Sequence, residues 1–190
     1  PLRRSPANPA VALSTATADV TFTDPSFAPD YAAERAQGLI RGSYHFARPQ
    51  LPFTTAVAQA DYYASTIGNV QEAGDLPPIM DFEVSGGLSP RDLITWAQTF
   101  LAELMAKTGR VPIIYTYRYF WRTALLNSSA FTRYPLWIAD YTVGATVPTP
   151  PLLGTWPTWA LWQWTATANR PGITGNVANS HCNGDAAALA

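Results

Sequence analysis

A mixed α/β fold on a mostly parallel sheet, open or closed into a barrel, is the architecture this sequence predicts. Strand-like and helix-like segments alternate through the first two-thirds of its 190 residues. Repeated βα units bring successive strands side by side in parallel. Asp81, Glu83 and Asp140 fall at the C-terminal ends of strand-like segments, and Tyr44, His45, Tyr115 and Gln163 lie on terminal halves. Barrels of this class keep their chemistry at that end of the sheet.

The elements follow in order. Residues 1–10 carry three prolines and no periodicity, which predicts an irregular arm, with 11–190 as one barrel domain. Val11–Thr17 is a weak strand. Asp24-Pro25 predicts a helix start, with Phe27 and Tyr31 on one face and Gly38 as the stop. Leu39–Ala47 reads as a strand. Thr54–Ile67 reads as a helix with an apolar stripe at Val57, Ala60, Ala64 and Ile67, ended by Gly68. Leu76–Glu83 is the central strand. Ser89-Pro90-Arg91-Asp92 opens the clearest helix, whose face is Leu93, Ala97, Phe100, Leu101, Leu104 and Met105, with Gly109 closing it. A strand at Val111–Tyr117, a short helix near Tyr119–Leu126, and strands at Pro135–Asp140 and Trp159–Thr165 complete the chain.

Composition narrows the function classes. Charged residues make up 13% of the chain, about half the usual share, and the formal charge is -1. With no Lys/Arg run, nucleic acid is not expected as a partner. No apolar run approaches the roughly 20 residues that span a membrane. Cys182 is the single cysteine and reads as a small packed residue; with two histidines, neither a disulfide nor a zinc site is expected, and no cofactor is called for. The 7 Trp, 9 Tyr and 8 Phe are a heavy aromatic load, part of it core, and aromatic rings also stack on sugar faces. The chain opens on Pro1 with no charged-then-apolar leader, which predicts a processed product or a piece of a longer protein.

Asp81 and Glu83 end an apolar run two residues apart. On a strand they share one face, roughly 6–7 Å apart along the chain. Desolvation and mutual repulsion then raise one pKa, leaving a proton donor beside an anion, the pair that glycoside hydrolysis needs. Asp-x-Glu alone equally describes two solvated acids; the other strand-end residues tip the reading toward chemistry. Tyr44 and Tyr115 either bind sugar or pack with satisfied hydroxyls. His45 faces the other way and reads as packed. Gln163 is expected to line the groove, with Trp162 and Trp164 outward. Asp140 is either a third acid or a cap on the next loop.

The stretches Phe22–Phe27, Gly38–Ala47, Leu76–Glu83, Pro112–Thr116, Pro135–Tyr141, Trp159–Thr165, Gly172–Val177 and Asn183-Gly184, in this order, resemble family-25 glycoside hydrolases, the bacterial and phage N-acetylmuramidases or lysozymes. The resemblance implies an irregular (β/α) TIM-like barrel. It also implies hydrolysis of the β-1,4 bond between N-acetylmuramic acid and N-acetylglucosamine, with peptidoglycan glycan strands as partner. Glu83 falls on the family's general acid and Asp81 on its partner carboxylate. Configuration would be retained with the substrate's acetamido oxygen as nucleophile, and Asp81 would orient that group. A monomer that is secreted or otherwise extracellular is expected.

Three family acids are absent. Residues 1–10 lack the opening Gly-Ile-Asp-Val strand, Ala18 stands where the family has Glu, and Ala178 where it has Asp. Weakened activity with an acidic optimum follows as the expectation, because flanking carboxylates stabilise a cationic transition state and raise the acid's pKa. The alternatives are a groove that binds cell wall without turnover, and a barrel with no carbohydrate role.

Overall fold

A computed structural model describes residues 11–68, 72–142, 153, 155–169 and 175–184. The expected arm at 1–10 and residues 172–174 lie outside these. Eight strands form one sheet: β1 (Val11–Ala18), β2 (Phe22–Thr23), β3 (Ile40–Phe46), β4 (Ile79–Asp81), β5 (Ile113–Tyr117), β6 (Leu136–Ala139), β7 (Leu161–Ala168) and β8 (Val177–Cys182). Their order is β2-β1-β3-β4-β5-β6-β7-β8. Pairing is parallel from β1 through β7, and antiparallel where β2 and β8 close the two ends. The mixed α/β architecture is therefore as predicted. The two antiparallel end strands are not anticipated, because the two-residue β2 and the largely exposed β8 carry no apolar pattern.

Four helices cross between strands: α1 (Phe27–Ala36), α2 (Thr54–Ile67), α3 (Pro90–Thr108) and α4 (Arg118–Ala124). In α3, Ser89 Oγ accepts the Asp92 amide, Pro90 takes the first turn, and Gly109 at φ 68 ends the helix. Trp96 joins the expected buried face, while Met105 is only partly buried. Two expectations need correcting. Asp24 does not cap α1: its Oδ1 accepts the Ser26 amide at 2.8 Å, and Ser26 occupies the cap. A Pro after Asp here tightens a turn before the helix starts. The buried face of α2 is Ala56, Gln59, Ala60 and Tyr63, rotated from the apolar stripe, because two polar side chains have partners inside.

One core lies between the helices and one face of the sheet, built from Met80, Phe82, Ile114, Ile138 and Trp162 against Trp96, Phe100, Trp121 and others. The opposite face carries Ile79, Ile113, Tyr115, Trp137, Ala139 and Leu161. Leu13 of β1 and Cys182 of β8, near opposite ends of the strand order, pack on this second cluster, so the sheet is curled around it. Cys182 is half-buried there. Among the described residues β1 and β8 share no strand pairing, yet β1 is a full strand paired with β3 from Val11 to Ala18.

At the N-terminal ends of the strands a buried ion pair fixes the approach to β4. Arg41 Nη2 lies 2.7 Å from Asp75 Oδ1, with both side chains nearly inaccessible. Tyr31 Oη donates to the same oxygen at 3.0 Å, and Arg110 Nη1 donates to the Asp75 carbonyl at 2.7 Å.

Candidate active site

β4 is only three residues long, shorter than the expected Leu76–Glu83, because Pro77 and Pro78 withhold the donors a ladder needs. Its exit is nonetheless held: the Asp81 carbonyl accepts the Ala47 amide at 2.9 Å, and the Phe82 amide donates to the Tyr115 carbonyl at 2.9 Å. Phe82 turns into the helix-side core. By alternation Asp81 and Glu83 therefore share the inner face, where both charges act on the Tyr44 and Tyr115 phenols.

Asp81 is 7% exposed, and its Oδ1 has no hydrogen-bond partner. Burial first, then the Glu83 charge, push its carboxyl up from 3.8 to about 8, with Arg48 opposing. Burial also raises Glu83. Asp81 is thereby held protonated near neutral pH beside a second raised carboxyl, and the two titrations are coupled. Burial thus raises both carboxyls without the flanking acids at Ala18 and Ala178.

Tyr44, Tyr115 and Tyr117 lie close enough to feel the pair, and Tyr141 joins Tyr115 on Gln163. Tyr44 accepts a very short hydrogen bond from Thr15 Oγ1. Tyr115 and Tyr141 both donate to Gln163 Oε1, at 2.6 and 2.7 Å. Tyr117, partly buried two residues beyond Tyr115, feels the Glu83 charge. Burial raises the Tyr115 hydroxyl far above its usual range, and it stays a donor. Gln163 thus sits on the inner face, while Trp162 packs helix-side and donates Nε1–H to the Asp140 carbonyl at 2.9 Å. Asp140 itself turns into its own loop: Oδ1 accepts the Thr142 amide at 3.0 Å and its hydroxyl at 2.5 Å. That is the loop-capping geometry for Oδ1.

His45 is fully buried on the helix side, between Tyr63 and Phe100, with Thr17 Oγ1 at 2.7 Å from Nδ1 and Gln59 Oε1 at 3.1 Å from Nε2. Burial lowers it to about 4, so it is neutral at pH 7. Tyr117, Tyr141 and Arg48 are the site residues sequence reasoning missed. Tyr117 and Tyr141 were signalled by two-residue spacing from Tyr115 and adjacency to Asp140; Arg48 had no local signal. Among the described residues no cluster of three or more His, Cys, Asp or Glu side chains is placed to hold a metal ion. Nor is any helix among them long and apolar enough to cross a membrane.

Comparison with known proteins agrees with this geometry. The family model for "Glycosyl hydrolases family 25" matches residues 7–173. Lysozyme M1 of Streptomyces globisporus is 36% identical over 182 residues, covering 92% of this chain and 60% of that protein. The chain thus spans about three-fifths of that relative's length. The N,O-diacetylmuramidase of Chalaropsis sp is 37% identical over 159 residues, covering 78% of this chain and 73% of its own. Among solved structures, the bacterial lysozyme of Streptomyces coelicolor superposes with a TM-score of 0.86 at 34% identity, over 95% of this chain and 84% of its own. The family GH25 lysozyme of Aspergillus fumigatus gives 0.82 at 28%, over 95% and 85%. With the acid pair, the curled sheet and these relatives in agreement, the chain belongs to glycosyl hydrolase family 25.

Proposed function

We propose that this protein is a muramidase that cleaves the β-1,4 bond of peptidoglycan glycan strands, with Glu83 as general acid and base. The observation that carries the reading is buried Asp81, with one unpartnered oxygen, beside partly buried Glu83 on the tyrosine-lined face of a family-25 sheet. Its relatives named lysozyme and N,O-diacetylmuramidase support the substrate class. The barrel in which it would work is irregular, and the packing of both Leu13 and Cys182 on one cluster supports its closure.

The proton bookkeeping follows from the site. In the free protein, deeper burial favours the proton on Asp81. A substrate acetamido N–H donating to the unpartnered Asp81 Oδ1 favours the aspartate anion. The shared proton then resides on Glu83, where it is delivered to the leaving glycosidic oxygen. The acetamido oxygen, held by that same contact, attacks the anomeric carbon, and Glu83 as base later activates the water that opens the intermediate. Tyr44, Tyr115 and Gln163 would orient sugar hydroxyls and the acetamido group. Asp140 shapes the following loop through Oδ1, and its second oxygen would meet the sugar.

Turbidity clearance of purified cell walls tests this. Glu83→Gln removes the proton carrier while preserving shape, so clearance is expected to vanish while retention on insoluble peptidoglycan persists. Undiminished clearance by that variant would sink the assignment of Glu83. Retention without clearance by the unaltered protein would favour a wall-binding module instead.

A further inference from the structure

We infer that buried Gln59 is a positioning residue for the reaction: it fixes Arg48 beside Asp81, and the guanidinium so placed helps Asp81 give up its proton to Glu83. The inference rests on the muramidase reading above, in which Glu83 delivers that proton.

The sheet register brings Arg48 to the pair. Phe46 of β3 lies opposite Asp81 of β4, and the Ala47 amide donates to the Asp81 carbonyl at 2.9 Å. His45 points to the helix side, so by alternation Phe46 shares the inner face with Asp81. Arg48 follows, with its guanidinium carbon 4.4 Å from the Phe46 ring centroid. The cation thus rests on the ring that neighbours Asp81, and its charge opposes the rise that burial imposes there. Among the described residues Arg48 forms no ion pair that would draw it elsewhere. Glu83 acts on Asp81 from beyond its own strand, and the phenols of Tyr44 on β3 and Tyr115 on β5 feel it. Asp24 bears on Tyr44, and Asp19 on His45.

An exposed arginine would ordinarily sample many positions, and Gln59 restricts this one from inside the core. Gln59 Oε1 accepts the Arg48 N–H at 3.0 Å, and its Nε2 donates to the Arg48 carbonyl at 2.8 Å. A peptide N–H only donates and a carbonyl only accepts, so the orientation of this amide is fixed. The same Oε1 lies 3.1 Å from His45 Nε2, which must then be the donor. Nδ1 is left to accept the Thr17 hydroxyl at 2.7 Å. One tautomer of a neutral histidine therefore satisfies the whole chain, from Thr17 of β1 through His45 and Gln59 of α2 to the Arg48 backbone. With the backbone clamped and the ring beneath it, the guanidinium is aimed before substrate arrives. A substrate amide on Asp81 and the cation beside it then favour the same anion, and Glu83 receives the proton.

The test reads the Asp81 carboxyl carbon by NMR, assigned with Asp81→Asn, beside the pH–rate profile on soluble glycan oligomers. Arg48→Gln should raise the Asp81 midpoint from about 8 by about half a unit to one unit, a modest size because the arginine is screened by solvent. Arg48→Lys should restore most of the shift. Gln59→Met fills the same space without the bonds and should match Arg48→Gln, and the two combined should shift no further, since one acts through the other. Both single variants should lose about three- to tenfold in kcat at pH 6, with KM unchanged. An unmoved midpoint in Arg48→Gln would overturn the inference. So would a Gln59→Met shift that is absent, or that adds to that of Arg48→Gln. Should methionine prevent folding, Gln59→Asn is too short to span both backbone atoms and should move the midpoint the same way; no movement would overturn the role. The titration needs no substrate, so absence of cleavage by the unaltered protein would refute the muramidase reading, while the midpoints alone decide whether Gln59 sets Arg48.

Discussion

Asp81→Asn should make the protein more stable and less active, and the stability gain should depend on pH in a defined direction. The folded carboxyl titrates at about 8 against 3.8 when free. A carboxyl raised on folding contributes fully at low pH, and its contribution is lost as pH rises through that window. Each unit is worth about 1.4 kcal/mol, so the roughly three units between 3.8 and pH 7 oppose the fold by up to about 4 kcal/mol. Repulsion from Glu83 is part of that sum and is relieved by the amide as well. His45 tilts the other way. Its folded value of about 4 lies below the ordinary 6.5, so stability falls as pH drops through that interval. In the unaltered protein the two slopes nearly offset between pH 4 and 6.5, and only the Asp81 loss remains up to 8. Removing Asp81 leaves the His45 slope, opposed only by the Glu83 carboxyl that burial also raises. Urea unfolding at pH 4, 5.5, 7 and 8 should therefore show a variant advantage near its minimum at pH 4. By pH 7 it should reach about 2–4 kcal/mol, or about 5 °C or more in Tm. Wall clearance should fall about 10²–10³-fold at the same time. An advantage that is constant with pH would show that Asp81 is not held against ionisation by burial.

Three other outcomes are expected. Ala178→Asp restores a carboxylate on β8, on the same face as Ser180, whose Oγ accepts the Trp137 Nε1–H at 3.1 Å; clearance rates should rise about tenfold or more, and no rise would mean that this position is too far from the reacting sugar. Clearance by the unaltered protein should fall as pH climbs through about 8, where the Asp81–Glu83 pair gives up its proton; a pH–rate profile still rising at pH 9 would refute proton sharing. Gly86→Ala forces a side chain into the Pro49 carbonyl at φ 59. It should cost roughly 2 kcal/mol or more, seen as a lowered midpoint in thermal unfolding.

Legibility in the sequence followed the range of the cause. The α3 boundaries could be read because Ser89, Pro90 and Gly109 act within one turn of their own positions. The acid pair was legible because alternation along a strand is local, and the flanking tyrosines sit on equally regular strands. The rotated face of α2 was not, since Gln59 is buried by partners on Arg48 and His45, eleven and fourteen residues away. Arg48 entered the site by the same long-range clamp. Tyr141 and Asp140 are neighbours in sequence, yet one turns to Gln163 and the other to Thr142, a choice made by the loop's own geometry. Strand β8 has no apolar alternation to read because it is largely polar, although Cys182 packs on the inner cluster and Ser180 bonds Trp137 there.

The Arg41–Asp75 pair lies at the far ends of the strands from the chemistry, and that distance has an evolutionary consequence. Breaking a buried, hydrogen-bonded pair of this kind typically costs about 3–5 kcal/mol, enough to endanger the whole protein. The residue that threads into β4 is thus anchored by a contact that no substrate touches. Selection can then act on the rim without risking the scaffold, which is a physical basis for the survival of a chain with Ala18 and Ala178 at its rim. Laboratory libraries drawn along the same divide should retain a high folded fraction when they randomise rim positions, and lose it when they randomise Arg41, Asp75 or Tyr31.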